Sequence, residues 1–153
     1  MKVLIVYYTK YGNTEKVANL ISEGITSTEG NEVIVTNVKD VKLKKDDSYD
    51  LILIGSPAHF GTHVGAVKKF INKLPNAQLK AKTYAVFDTY IPVDFEKAVK
   101  KMEKQISEKM PDLPKVSPGL SIKVDGMKGP ITNEDLPKCK EFGIKLVQAY
   151  KSL

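Results

Sequence analysis

At 153 residues, with 42% apolar and 27% charged side chains, the chain has the size and balance of one soluble globular domain, and no apolar run nears the roughly 18 residues of a membrane span. Its 24 basic residues are all lysine against 18 acidic ones, a formal charge of +6; without arginine to read guanine edges, nucleic acid is not an expected partner. The single cysteine, Cys139, excludes an internal disulfide and a CxxC site, and His59 and His63, set on either side of Gly61, do not resemble a helical HExxH zinc site, so redox chemistry would have to come from a cofactor.

The run "KVLIVYY" (2–8) is short, β-branched and continuously apolar, which predicts a strand covered on both faces. From Asn13 onward Val17, Leu20, Ile21 and Ile25 recur at helical spacing until "STEGNE" ends the pattern. "VIVTNV" (33–38) predicts a second strand, and "YDLILIGSP" (49–57) a third that stops at glycine and proline. Val64, Val67, Phe70, Ile71 and Leu74 place a helix over about 65–74, ahead of Pro75. "TYAVFDTY" (83–90) predicts a fourth strand, and Phe95, Val99, Met102, Ile106 and Met110 form one face of a long helix beginning near Asp94. A proline-rich connection leads to a weaker strand, "LSIKV" (120–124). Residues 133–150 close the chain as a helix with Leu136, Cys139, Phe142, Leu146 and Val147 as its stripe, and Glu134 and Asp135 in its first turn.

Strand and helix thus alternate five times with short connections. That pattern predicts one α/β domain over 1–153: a three-layer, doubly wound, five-stranded parallel sheet with helices on both faces. The alternation leaves the strand order open, but it puts a ligand outside the carboxyl ends of the strands, where the order reverses.

The segments leaving those ends carry the candidate site. Thr9, Lys10, Tyr11, Gly12, Asn13 and Thr14 follow the first strand and run directly into a helix, whose unpaired amides and dipole attract an anion. Thr9 and Thr14 add hydroxyls, and Gly12 permits close approach. A plain helix cap by Asn13 or Thr14 accounts for the same residues. Neither GxGxxG nor GxxxxGK[ST] occurs, so dinucleotide and nucleoside-triphosphate loops are excluded and a phosphate monoester remains. Ser56, Pro57, Ala58, His59, Phe60 and Gly61 follow the third strand, and Asp88, Thr89 and Tyr90 end the fourth.

"YYTKYGNTEKVANLI" resembles the phosphate loop of flavodoxins, in which a Thr/Ser-x-Thr-Gly-Asn-Thr run cradles the phosphate of flavin mononucleotide (FMN). Thr9, Gly12, Asn13 and Thr14 match; Tyr11 replaces the usual threonine. "GSPAHFG" is similar to the family's Gly-Ser-Pro-Thr-Tyr-Phe-Gly run, with Gly55, Ser56, Pro57, Phe60 and Gly61 matching and Ala58 and His59 departing. The resemblance extends to the order of elements along the whole chain. It implies a flavodoxin-like sheet of order 2-1-3-4-5, FMN as cofactor, and Phe60 or His59 as a wall beside the flavin ring. It also implies Gly61 as the peptide whose hydrogen bond follows the reduction state, and Tyr90 and Asp88 as counterparts of the family's third-loop aromatic and acidic residues. His63 is expected in solvent or near the cap of the next helix.

The resemblance implies two activities. One is an electron carrier shuttling between redox protein partners; the other is a flavoenzyme of the NAD(P)H:quinone oxidoreductase type, to which "VYYTKYGNTEKVA" is similar as well. The short link from Tyr90 to the helix near Asp94 favours the carrier. The basic charge is unusual for a family whose members tend to be acidic, and it implies acidic partners and a less negative potential for the fully reduced couple. A domain that keeps the fold without the flavin is a third reading. The amino terminus lacks the cleavage site and apolar core of a secretion signal, so the expected location is the cytoplasm; oligomeric state is not legible.

Overall fold

The computed structural model describes residues 1–153. In chain order the elements are β1 (Lys2–Tyr7), α1 (Asn13–Thr26), β2 (Glu32–Asn37), β3 (Ser48–His59), β4 (Thr62–His63), α2 (Gly65–Lys73), β5 (Lys80–Tyr90), α3 (Lys97–Lys109), β6 (Leu120–Lys123) and α4 (Leu136–Lys151). Five strands pair in parallel in the order β2-β1-β3-β5-β6, with β4 folded back antiparallel on the end of β3. Leaving out β4, this is the expected order 2-1-3-4-5. The registers put Val3 between Val33 and Leu51, and Leu53 beside Ala85.

Alternation along the strands builds two cores. Val3, Ile5, Leu51, Leu53, Ala85, Phe87 and Ile122 face α1 and α4, where they meet Val17, Ile21, Ile25, Cys139, Phe142 and Leu146. Leu4, Val6, Ile52, Ile54, Tyr84 and Val86 face the other way and pack on Val67, Phe70 and Ile71 of α2 and on Val99, Met102 and Ile106 of α3. Cys139 belongs to the first core, and burial pushes its thiol up to about 12.

The differences from the sequence reading lie at element ends. β3 does not stop at Pro57 but runs to His59 and turns back through Phe60 and Gly61 into β4. The long helix begins at Lys97 rather than near Asp94, because a 3₁₀ turn at Pro92–Asp94 and a left-handed Glu96 (φ 60°) interrupt the path. α4 begins at Leu136, one residue beyond Asp135, whose carboxylate accepts from the Lys123 amide (2.8 Å) and pairs with Lys138 (2.8 Å). α1 is not capped by Asn13 or Thr14. Gly12 holds the cap position with φ 92°, a left-handed conformation that glycine adopts without strain, and no side chain caps the first turn.

Candidate cofactor site

The chain leaves β1 for α1 on one face of the sheet and leaves the neighbouring β3 for α2 on the other. Between those departures lies a cleft of about 560 Å³, within the usual size of a small-ligand site. Segments following β1, β3, β5 and β6 line it.

The first segment forms the polar end. Thr9 Oγ1 accepts the Gly12 amide (2.9 Å) and so closes the turn. The Gly12 carbonyl takes the first helical bond from Lys16 (3.0 Å), and the preceding amides of α1 are left facing outward without a side-chain cap. A Cβ at Gly12 would meet nothing within 4 Å, so the space over the turn is open. Thr14 is buried, and its hydroxyl lies 3.0 Å from that of Thr89 on β5, tying the first segment to the third. Lys10 and Tyr11 stand at the rim, with the ammonium 5.4 Å from the ring centroid.

The β3–β4 hairpin forms one side. Pro57, Ala58, His59 and Phe60 line the cleft, and Ser56 lies behind them. The Ser56 hydroxyl donates to the Pro57 carbonyl (2.9 Å) and accepts the Val64 amide (3.0 Å), which fixes where the hairpin leaves the sheet. The two-residue turn has φ 52° at Phe60 and 72° at Gly61, the pair of positive values that a type I′ hairpin turn needs. For phenylalanine this costs roughly 1–2 kcal/mol, and the side chain regains nothing by burial, since it is 103% exposed. Gly61 lies behind the lining, next to Lys97 and Asp94. Burial, and then Lys10, hold His59 below the usual imidazole range, so it is neutral at pH 7.

The end of β5 brings Thr89 and Tyr90 to the cleft, and the segment after it adds Ile91, Val93 and Asp94. The Tyr90 ring packs at 60° on Phe95, centroids 5.2 Å apart. Asp88 does not reach the cleft, which corrects its expected place beside a ring. It shares the strand face of Tyr84 and Val86, is fully buried, and accepts the Val99 amide of α3 (3.0 Å) and the Ser121 hydroxyl of β6 (2.5 Å). Ser121 in turn accepts the Glu96 amide (3.1 Å). Burial raises the Asp88 carboxyl to about 7 despite these bonds. His63 lies next to Val64, the cap residue of α2, which is one of its two expected places; it is buried rather than in solvent, and its Nε2 meets Gln105 at 2.6 Å.

The segment after β6 escaped the sequence reading. Val124 and Met127 line the cleft, and Gly129 backs onto the Asn13 amide. The glycine-containing "VDGMKGP" after a predicted last strand was the available signal.

One end of the cleft therefore offers hydroxyls, helix amides and an ammonium to an anion, while the rest is mostly apolar and aromatic, with His59, Thr89 and Asp94 as its polar side chains. An elongated ligand with a phosphate at one end and a flat apolar body at the other fits this division.

Residues 4–120 match the family described as "Flavodoxin domain". Among curated relatives, a flavodoxin of Clostridium saccharobutylicum is 34% identical over 58% of this chain and 56% of its own length, and one of Aquifex aeolicus is 40% identical over 46% and 38%. The matched stretch thus spans about half or less of those relatives. Among solved structures, a flavodoxin from the domain Archaea superposes with a TM-score of 0.78 at 27% identity, over 99% of both chains.

Proposed function

Since the chain belongs to the flavodoxin domain family, we propose that it holds FMN in the four-segment cleft and works as an electron carrier between redox protein partners. The observation that carries this reading is the polarity of the cleft, a helix terminus with Thr9 and Thr14 at one end and a mostly apolar and aromatic remainder. Bound FMN supplies reversible electron storage that no side chain here provides, the one cysteine being buried.

The chain's own residues bind, orient and shield. The α1 amides, Thr9 and Thr14 hold the phosphate, with Lys10 adding charge, Tyr11 standing at the rim and Asn13 braced by Gly129. Pro57, Ala58, His59 and Phe60 form one wall; Thr89 and Tyr90 form the other, with Ile91, Val93 and Met127 excluding water. Ser56, Gly12 and Gly61 set the loop shapes, and Asp88 supports the second wall from behind.

Of the seven exposed large hydrophobic side chains, five (Tyr11, Phe60, Val93, Phe95 and Met127) belong to the segments around the cleft, which makes this end the place where another protein approaches. The charge of +6 selects acidic partners, and the setting of the reading is the cytoplasm. The test loads the protein with FMN, reduces it anaerobically and mixes it with an acidic redox protein by stopped flow. Electron delivery that slows with added salt supports the carrier; rapid quinone-dependent oxidation of a nicotinamide nucleotide would replace it with the reductase.

A further inference from the structure

The hairpin that walls the cleft is held by a histidine to which the cofactor reading gives no role. His63, in β4, pairs across the hairpin with Ala58, and is 4% exposed. Its Nε2 lies 2.6 Å from Gln105 Oε1 on α3. Gln105 is fixed from its far side, where its amide donates to the Lys68 carbonyl (3.0 Å) and to Asn72 Oδ1 (3.0 Å). With both amide hydrogens used, Gln105 presents only an acceptor to the imidazole, so His63 carries its hydrogen on Nε2 and donates. Nδ1 faces only the Thr62 hydroxyl, at 3.4 Å.

We propose that His63 is a positioning residue for the Phe60–Gly61 turn: through Gln105 it seats the hairpin on α2 and α3 and so sets where the turn stands over the cleft. The consequence for a ligand rests on the flavin reading; the geometry does not. The turn cannot hold itself. Phe60 is left-handed at φ 52° and buries nothing, and conformations of that kind persist only where the surroundings impose them. Two side chains impose it at the base of the hairpin, Ser56 through the Val64 amide and His63 through Gln105; Lys97 and Asp94 lie against Gly61 at the tip.

The seat is built for a neutral ring. Burial, then Lys68 of α2 and Lys101 of α3, hold His63 below the usual imidazole range, against the pull of Gln105. A second proton would go to Nδ1 and put a buried positive charge between two lysines, which favours a hairpin lifted off the helices.

NMR of the cofactor-free protein, titrated from about pH 8 to about pH 5, reads this without flavin, since only two histidines contribute imidazole signals. The amide signals of Phe60, Gly61 and Thr62 are expected to follow the His63 titration. In H63Q, which keeps a donor near the Nε2 position, they stay near their neutral-pH places and lose that acid step. In H63A they are displaced at every pH, and in Q105E the step moves to higher pH. FMN titrations add the functional arm: H63A binds roughly fivefold more weakly, as for one lost buried hydrogen bond, and H63Q within about twofold of the parent. The phosphate's own ionisation near pH ~6 persists in H63Q and gives the baseline against which the parent's steeper acid loss is measured. Turn amides that ignore the His63 titration, or an H63Q pH profile identical to the parent's, would overturn the proposal. Failure of the parent to take up FMN at any pH would instead overturn the flavin reading, and the amide signals would then decide the role of His63 alone.

Discussion

Thr9 and Thr14 share a residue type but do different work. Thr9 shapes the turn by accepting the Gly12 amide, while Thr14 is buried at the foot of α1 against Thr89. Replacing both with valine removes two hydroxyl donors from the anion end, each worth about 1.5–3 kcal/mol toward a charged acceptor, so FMN affinity is expected to fall at least a hundredfold. The double serine variant, which keeps the hydroxyls, stays close to the parent. Unchanged affinity in the valine variant, measured by flavin fluorescence quenching, would reduce the segment to an ordinary turn before a helix. These threonines and Gly12 were legible in sequence because their chemistry is carried by type and order. Asp88 was not, because a carboxylate at the end of a strand reads the same whether it points into a cleft or behind it. Parity would have placed it: Ala85, Phe87 and Thr89 share the α1 face, so Asp88 falls with Tyr84 and Val86 on the α3 face.

At the scale of elements, Asp88 starts α3 from a neighbouring strand. Glu96 makes no side-chain cap, and the Asp88 carboxylate takes the Val99 amide in its place. The folded-state pKa of about 7 lies above the ordinary carboxyl value of 3.8, so the protonated form favours the fold. That contribution is complete below about pH 4 and is lost as pH rises to about 7, by at most roughly 4 kcal/mol at 1.36 kcal/mol per pH unit. Asp88→Asn should therefore gain stability relative to the parent between pH 5 and 8 in urea unfolding; a difference that stays flat with pH would contradict the buried carboxyl assigned here. The main strands and helices were legible because continuous apolar runs mark strands covered on both faces and an apolar spacing of 3.6 runs through the helices. The β3–β4 hairpin was not. Thr62–His63 is too short to show a period, and its turn is Phe-Gly where Asn-Gly or Asp-Gly would announce a hairpin.

Across the whole molecule, the two ends of the sheet are specialised differently. At the amino ends of the strands Asp50 gathers β1, β5 and α4: its carboxylate accepts the Lys2 amide (2.7 Å) and the Tyr150 hydroxyl (2.9 Å) and pairs with Lys82 (3.1 Å). The Lys2 amide bond, opposed by burial and helped by Lys82 and Tyr150, holds its carboxyl below the ordinary value. Its stabilisation is thus present above about pH 4 and lost as pH falls further, opposite in sign to Asp88. Asp50→Ala should cost about 1–3 kcal/mol near pH 7 and progressively less in acid, as urea unfolding would report. The carboxyl ends carry the cleft and most of the exposed apolar side chains. Alternation of elements foretold this division, but not the share taken by the segment after β6, because Val124 and Met127 have no chemistry of their own and act only by standing at the cleft. We propose that this end of the sheet holds one FMN. Purified protein, freed of bound small molecules and titrated with FMN, should quench flavin fluorescence to an endpoint of about one FMN per chain and shift the flavin's visible bands; no quenching and no uptake would contradict the account.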